Sequence, residues 1–173
     1  MIVSVKVQGL EELKSKLINY RNSFDSKQKE CLRRLAEIGI DEAKVRFGNA
    51  QYDGTNDVIV NSPQWISDNR IAITATGESV AFIEFGTGVF YSEQHPYANE
   101  MNIQRGTFGQ GKGSQNTWGY YGEGGSNGEY LKSTDKGDLY LTHGNPPARA
   151  MYEASKKMQG EILRIVKEVF NFD

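Results

Sequence analysis

The sequence predicts an α+β domain: a small antiparallel β-sheet packed against a long N-terminal helix and a C-terminal helix, with one long glycine- and aromatic-rich insertion. Three observations carry this. Apolar residues recur at spacings of three and four across residues 10–47 and again across 151–172, short runs of β-type composition fill 58–85, and 13 of the 19 glycines crowd between Gly86 and Gly144. At 173 residues, folding hides roughly 70% of the surface that the unfolded chain exposes, so one core suffices without disulfides or metal. The expected organisation is a single domain over 1–173, with 87–144 a loop insertion.

The elements follow in order. Ile2-Val3-Ser4-Val5-Lys6-Val7 alternates and reads as a half-buried strand that Gly9 ends. From Leu10 the residues Leu10, Leu13, Leu17, Tyr20 and Phe24 share a helical face, and Cys31, Leu32, Leu35, Ile38, Ala43 and Phe47 resume it. Between them Asp25-Ser26-Lys27-Gln28-Lys29 interrupts the stripe, and Asp25 or Ser26 is suited to capping a second helix, so the region reads as one long helix or two abutting ones. Val58-Ile59-Val60, Ile71-Ala72-Ile73-Thr74 and the run from Val80 to Phe85 read as an antiparallel meander, separated by the turn signals Ser67-Asp68-Asn69 and Thr76-Gly77-Glu78. Within the insertion only residues 138–142 read as a strand. Asn145-Pro146-Pro147 then predicts a helix start with Asn145 as N-cap and proline in the first turn. The final helix carries Met151, Ala154, Met158, Ile162, Ile165, Val169 and Phe172 on one stripe, and Gly160 inside it points to close packing or a bend.

Composition excludes several classes. Lys+Arg 20 against Asp+Glu 22 leaves a net charge of -2, which argues against a domain built mainly to grip nucleic-acid phosphates. The lone Cys31 cannot form an internal disulfide, which fits a reducing compartment or a particle assembled inside one. No stretch approaches the ~20 apolar residues of a membrane span and the N-terminus has no signal architecture, so the expectation is a soluble, untargeted protein with no membrane partner.

The search for chemistry yields little. Gly106-Thr107-Phe108-Gly109-Gln110-Gly111-Lys112 fits the first seven places of a phosphate loop, but Gly113 stands where a Ser or Thr is needed to reach Mg²⁺. No strand leads in and no helix follows, so the amides lack a helix N-terminus for an anion. A dinucleotide fingerprint fails at Asn127, the third glycine place after Gly122 and Gly124. His95, His143 and Cys31 lack metal-ligand spacing, and both histidines read as exposed loop residues. Cys31 sits on an apolar stripe, where cysteine is a small inert core residue. Glu84 shares a strand face with Val80 and Phe82, either as an edge charge that discourages misassembly or as half of an interface salt bridge with Arg149 as candidate partner. No catalytic residue, metal or cofactor is expected.

The insertion carries the strongest signal, holding 9 of the 19 aromatic residues. Glycine and tyrosine with Ser and Asn form adaptable protein-binding surfaces, because tyrosine offers large contact area at low entropic cost. Single-stranded nucleic acid also stacks on aromatics but needs a basic groove beside them, and the insertion is net negative. It reads as an assembly arm, so deleting 105–136 is expected to leave a folded domain that fails to assemble.

Val80-Ala81-Phe82-Ile83-Glu84-Phe85-Gly86-Thr87-Gly88 resembles the aliphatic-Glu-Phe-Gly-Thr signature of tail-completion proteins, the neck or head-tail joining proteins of long non-contractile tailed bacteriophages. Gly9-Leu10-Glu11-Glu12-Leu13, Ala43-Lys44 and Asn145-Pro146-Pro147-Ala148-Arg149-Ala150 agree with that family in order, so the resemblance covers 1–88 and 143–173. The connection at 87–144 is much longer than the family's, and Pro-Pro-Ala-Arg-Ala replaces its Pro-Phe-Leu-type turn. The resemblance implies a non-catalytic virion protein, made in the host cytoplasm and joined as a ring, sixfold, at the head-proximal end of the tail. Its implied partners are further copies of itself, the tail terminator or tube and the head connector, with DNA only as passing cargo. The candidate interface residues are Glu84, Phe85, Gly86, Thr87 and Arg149, and from the insertion Phe108, Trp118, Tyr120, Tyr121 and Tyr130. Rival readings are a head-closure or adaptor protein on the capsid side, a small hydrolase or nuclease using Glu84, His95 and His143, and a carbohydrate- or single-strand-binding module using Trp118, Tyr120 and Tyr121.

Overall fold

The computed structural model describes residues 9–109 and 115–171. The strand expected at 2–7, the Gln110-Gly111-Lys112 part of the phosphate-loop match and Phe172 lie outside them. The described chain is α+β, with a long first helix, small antiparallel sheets and a C-terminal helix.

Helix α1, Leu10–Gly48, is unbroken over 39 residues, about 58 Å. Its polar interruption does not cap a second helix. Ser23 and Ser26 instead donate their hydroxyls to the carbonyls three residues back, Tyr20 O at 2.9 Å and Ser26 to Ser23 O at 2.8 Å, which absorbs them into the helix. Helix α3, Ala150–Phe170, runs antiparallel along the second half of α1. Its far end packs Phe170 against Phe24, the rings tilted with centroids 5.5 Å apart, and its start brings Glu153 to Arg46 at 4.0 Å. Between these ends Ala43, Phe47, Ile83, Ala150 and Ala154 form the buried core.

Gly160 is not a point of close packing: α3 continues through it, and a Cβ there would meet nothing within 4 Å. Gly160→Ala is therefore expected to stabilise the protein by about 1 kcal/mol, through helix propensity alone. Urea unfolding checks this, and an unchanged or lower midpoint would contradict it.

The meander expected over 58–85 is a nested hairpin followed by a helix. Strands β1 (Ile59–Val60) and β4 (Ala75–Thr76) pair outside β2 (Gln64–Ser67) and β3 (Arg70–Ala72), and Asn61 N–H bonds Thr74 O at 2.9 Å between the two. The run from Val80 to Phe85 is helix α2, Val80–Phe85, not a third strand. Ile83, Glu84 and Phe85 are buried in succession, which strand alternation would not allow. Packing of Ile83 into the α1/α3 core overrides the strand propensity of the run.

The start of α2 is held by Asp57, whose carboxylate accepts Glu78 N–H at 2.6 Å and Ser79 N–H at 2.9 Å. Hydrogen bonds from the Ser79 side chain, then from the two amides, hold the Asp57 carboxyl below its ordinary 3.8. On α1, Arg33 and then Arg34 hold Glu30 down to about 2 from 4.5. Both groups bind protons more tightly in the unfolded chain, so their contribution is complete above about pH 4.5 and is lost as pH falls toward 2. Stability is expected to drop across that window, and less steeply in Asp57→Asn with Glu30→Gln. Denaturant midpoints measured at several pH values test this, and parallel curves would refute it.

The insertion is not a loop with a single strand. Strands β5 (Trp118–Tyr121), β6 (Glu129–Thr134) and β7 (Gly137–Thr142) form a three-stranded antiparallel sheet in the order β5-β7-β6. Residues 105–136 contain all of β5 and β6, so their deletion would leave β7 without a neighbour.

Candidate functional site

The site grows from the meeting of two segments, 83–87 and 145–149. Ala148 N–H donates to Ile83 O at 2.8 Å, Arg149 N–H to Glu84 O at 3.2 Å and Thr87 N–H to Asn145 O at 2.9 Å. The Thr87 hydroxyl oxygen accepts Asn145 N–H at 2.8 Å. This pairing corrects the expectation that Asn145 caps the last helix. The consecutive prolines 146 and 147 favour extended backbone, the segment pairs with 83–87, and α3 starts only at Ala150.

Arg149, the residue before α3, adopts φ 54 and supplies no side-chain cap. The cap comes from Glu84 instead. Its carboxylate accepts Met151 N–H at 2.8 Å and Tyr152 N–H at 3.0 Å, amides that a helix start leaves unpaired. A negative charge there also suits the helix dipole. The third partner is His95. Its Nδ1 accepts Tyr97 N–H at 3.1 Å, so its proton lies on Nε2 and is donated to Glu84 Oε1 at 2.9 Å. Phe85 and Tyr152 pack on the imidazole, with ring centroids at 4.5 and 5.5 Å.

Glu84 is therefore neither an edge-strand charge nor the partner of Arg149. It is 5% exposed, as is His95, which corrects the reading of His95 as an exposed loop residue. His143 is exposed and stands elsewhere, donating Nδ1–H to Asn116 O at 3.2 Å and lying 2.9 Å from the Thr117 hydroxyl. Arg149 turns outward to Glu93 Oε2 at 3.1 Å and Gln94 O at 3.2 Å. Near that pair Arg105 is buried, with Nε and Nη1 making no hydrogen bond, and burial pulls its guanidinium below its ordinary pKa. Sequence reading missed Arg105 because nothing in a run of turns marks a cation for burial.

The predicted aromatic residues divide. Phe108 stacks on Phe82 at 5.5 Å. Trp118 lies so close to Gly88 and Gly144 that a Cβ on either would come within 3 Å of its ring. Tyr120 stacks on Tyr140 at 5.7 Å, and its hydroxyl oxygen accepts Gly125 N–H at 3.2 Å. These three are engaged within the chain. Tyr121 and Tyr130 remain about half exposed, Tyr130 edge-on to Tyr140.

A buried polar node that sequence reading also missed ties the sheet to the rest of the domain. Asp53 accepts the Thr142 hydroxyl and Asn127 N–H at 2.9 Å, while the Asn127 side chain donates to Asn145 Oδ1 at 3.1 Å. Asp53→Ala leaves these donors unpaired and is expected to cost about 2 kcal/mol. Hydrogen exchange should show protection lost first in β5 and β7, and uniform loss across the molecule would count against the node.

Burial raises the Cys31 thiol pKa, away from a reactive thiolate. Among the described residues no three His, Cys, Asp or Glu side chains gather as metal ligands, and no helix is long and apolar enough to cross a membrane. No protein-family model matches the chain, and neither does any curated protein or solved structure.

Proposed function

We propose that the chain is a structural subunit of a long-tailed bacteriophage virion, joining head to tail as a sixfold ring at the head-proximal end of the tail. Its partners there are further copies of itself, the tail terminator or tube and the head connector, with DNA only passing through. The observation that carries a structural over a hydrolytic reading is the use made of Glu84. Its carboxylate is buried and committed to two helix amides and one imidazole, with no oxygen facing solvent chemistry. The Glu-Phe-Gly-Thr segment on which the resemblance rests thus has a holding task, while Tyr121 and Tyr130 stay available for contact with protein.

The test is deletion of the gene from the phage or prophage that carries it, followed by electron microscopy of the lysate, with complementation. Filled heads beside unjoined or abnormal tails are the expected result. Normal infectious particles would refute the proposal.

A further inference from the structure

Among the described residues, every buried side-chain nitrogen or oxygen that lacks a hydrogen bond belongs to one of two arginines: Arg105 Nε, Arg105 Nη1 and Arg149 Nε. Buried polar atoms are almost always paired, and an enclosed charge without a partner is strongly unfavourable. Three such donors on two like charges mark a place where an acceptor is missing.

Arg105 is 8% exposed and stands in a run of turns fixed by its own backbone. Ala98 N–H donates to His95 O at 3.0 Å, Ile103 N–H to Ala98 O at 2.8 Å and Thr107 N–H to Gln104 O at 3.1 Å. Ordered backbone therefore holds the guanidinium in place. Arg149 is the residue before α3, fixed by the bond from its N–H to Glu84 O, and its Nη2 donates to Glu93 Oε2 and Gln94 O. The two guanidinium groups feel each other. Burial does most to lower the Arg105 pKa, Glu93 favours its charge, and Arg149 opposes it. Glu93 is bonded to Arg149 and makes no bond to Arg105, while the Glu84 carboxylate is spent on Met151, Tyr152 and His95.

Charge selects the ligand. Arg105 and Arg149 against Glu93 leave one positive charge, which a single carboxylate neutralises while its oxygens offer about four lone pairs to the orphaned donors. A phosphate dianion would overshoot that charge and be repelled by Glu93. Access needs little movement, since Arg105 keeps part of its surface open and the Glu93 side chain is 74% exposed.

We infer that Arg105 and Arg149 form a binding site for one carboxylate group, from a free small carboxylate or from an acidic side chain of a second copy of the chain. The site does not depend on the virion role.

NMR of the arginine Nε–H groups in the full chain tests it, with sodium acetate titrated against sodium chloride at constant ionic strength. The Arg105 and Arg149 signals should move and saturate with acetate in the millimolar range, and stay still with chloride. If a second copy supplies the carboxylate, the same signals should move on dilution, together with a fall in oligomer size by light scattering. Either response supports the site, and the Arg149 response should be lost in Arg105→Met. Without acetate, the urea midpoint of Arg105→Met should equal or exceed that of the wild type, because the unpaired charge is gone and an apolar stem is kept. Signals indifferent to both acetate and dilution would overturn the site, and a stronger response to phosphate would overturn its carboxylate class. Acetate binding only in Glu93→Gln would show that Glu93 is itself the missing acceptor, and a lowered midpoint in Arg105→Met that the guanidinium is paired within the chain. Both would also overturn it.

Discussion

Glu84→Ala is expected to destabilise the protein by about 3 kcal/mol, because three donors inside the domain lose their shared acceptor at once. The Met151 and Tyr152 amides would be left at a buried helix start, and His95 Nε2–H would face a cavity. Loss of an N-cap alone costs about 1 kcal/mol, and the buried imidazole adds the remainder. Glu84→Gln should cost less, since its carbonyl oxygen still accepts, although its amide group meets a donor. Urea unfolding of both variants settles this, and a Glu84→Ala loss under about 0.5 kcal/mol would show that the cap is dispensable. The same variants separate holding from catalysis: a folded Glu84→Gln protein should still assemble.

Gly86→Ala is expected to cost at least about 3 kcal/mol, by a different route. Gly86 sits at φ 77 and ψ 173, a conformation that only glycine adopts readily. A Cβ there would lie 2.7 Å from Pro147 N and 2.8 Å from Asn145 O, backbone atoms that cannot swing aside as a side-chain tip can. Either α2 or the 145–149 segment would have to move, breaking the pairing that positions Glu84 over α3. Combining Glu84→Ala with Gly86→Ala should therefore cost less than the two losses added, because both act on one junction. Full additivity would mean that the two residues act independently.

These expectations give the Glu-Phe-Gly-Thr segment a physical meaning. Glu84 caps a helix far away in sequence, Phe85 packs on the histidine that orients Glu84, Gly86 permits close approach of two backbones, and Thr87 closes the pairing on Asn145. Four adjacent residues thus join the middle of the chain to its last helix. The 115–142 region is anchored close by through Asp53 and Thr142.

The amino-acid sequence alone determined the α+β class and the N-terminal and C-terminal helices, because a stripe with helical spacing is a local property. Tertiary structure decided the rest. The polar break at 25–29 stayed helical because α3 lays Phe170 against Phe24, and the run at 80–85 became a helix because Ile83 and Glu84 both had to face α1 and α3. Glu84 was legible as an unusual carboxylate, but its partners lie 67 and 68 residues away at Met151 and Tyr152. His95, Asp53 and Arg105 gave no local sign of burial, since whether a polar side chain is enclosed depends on what the rest of the chain places over it.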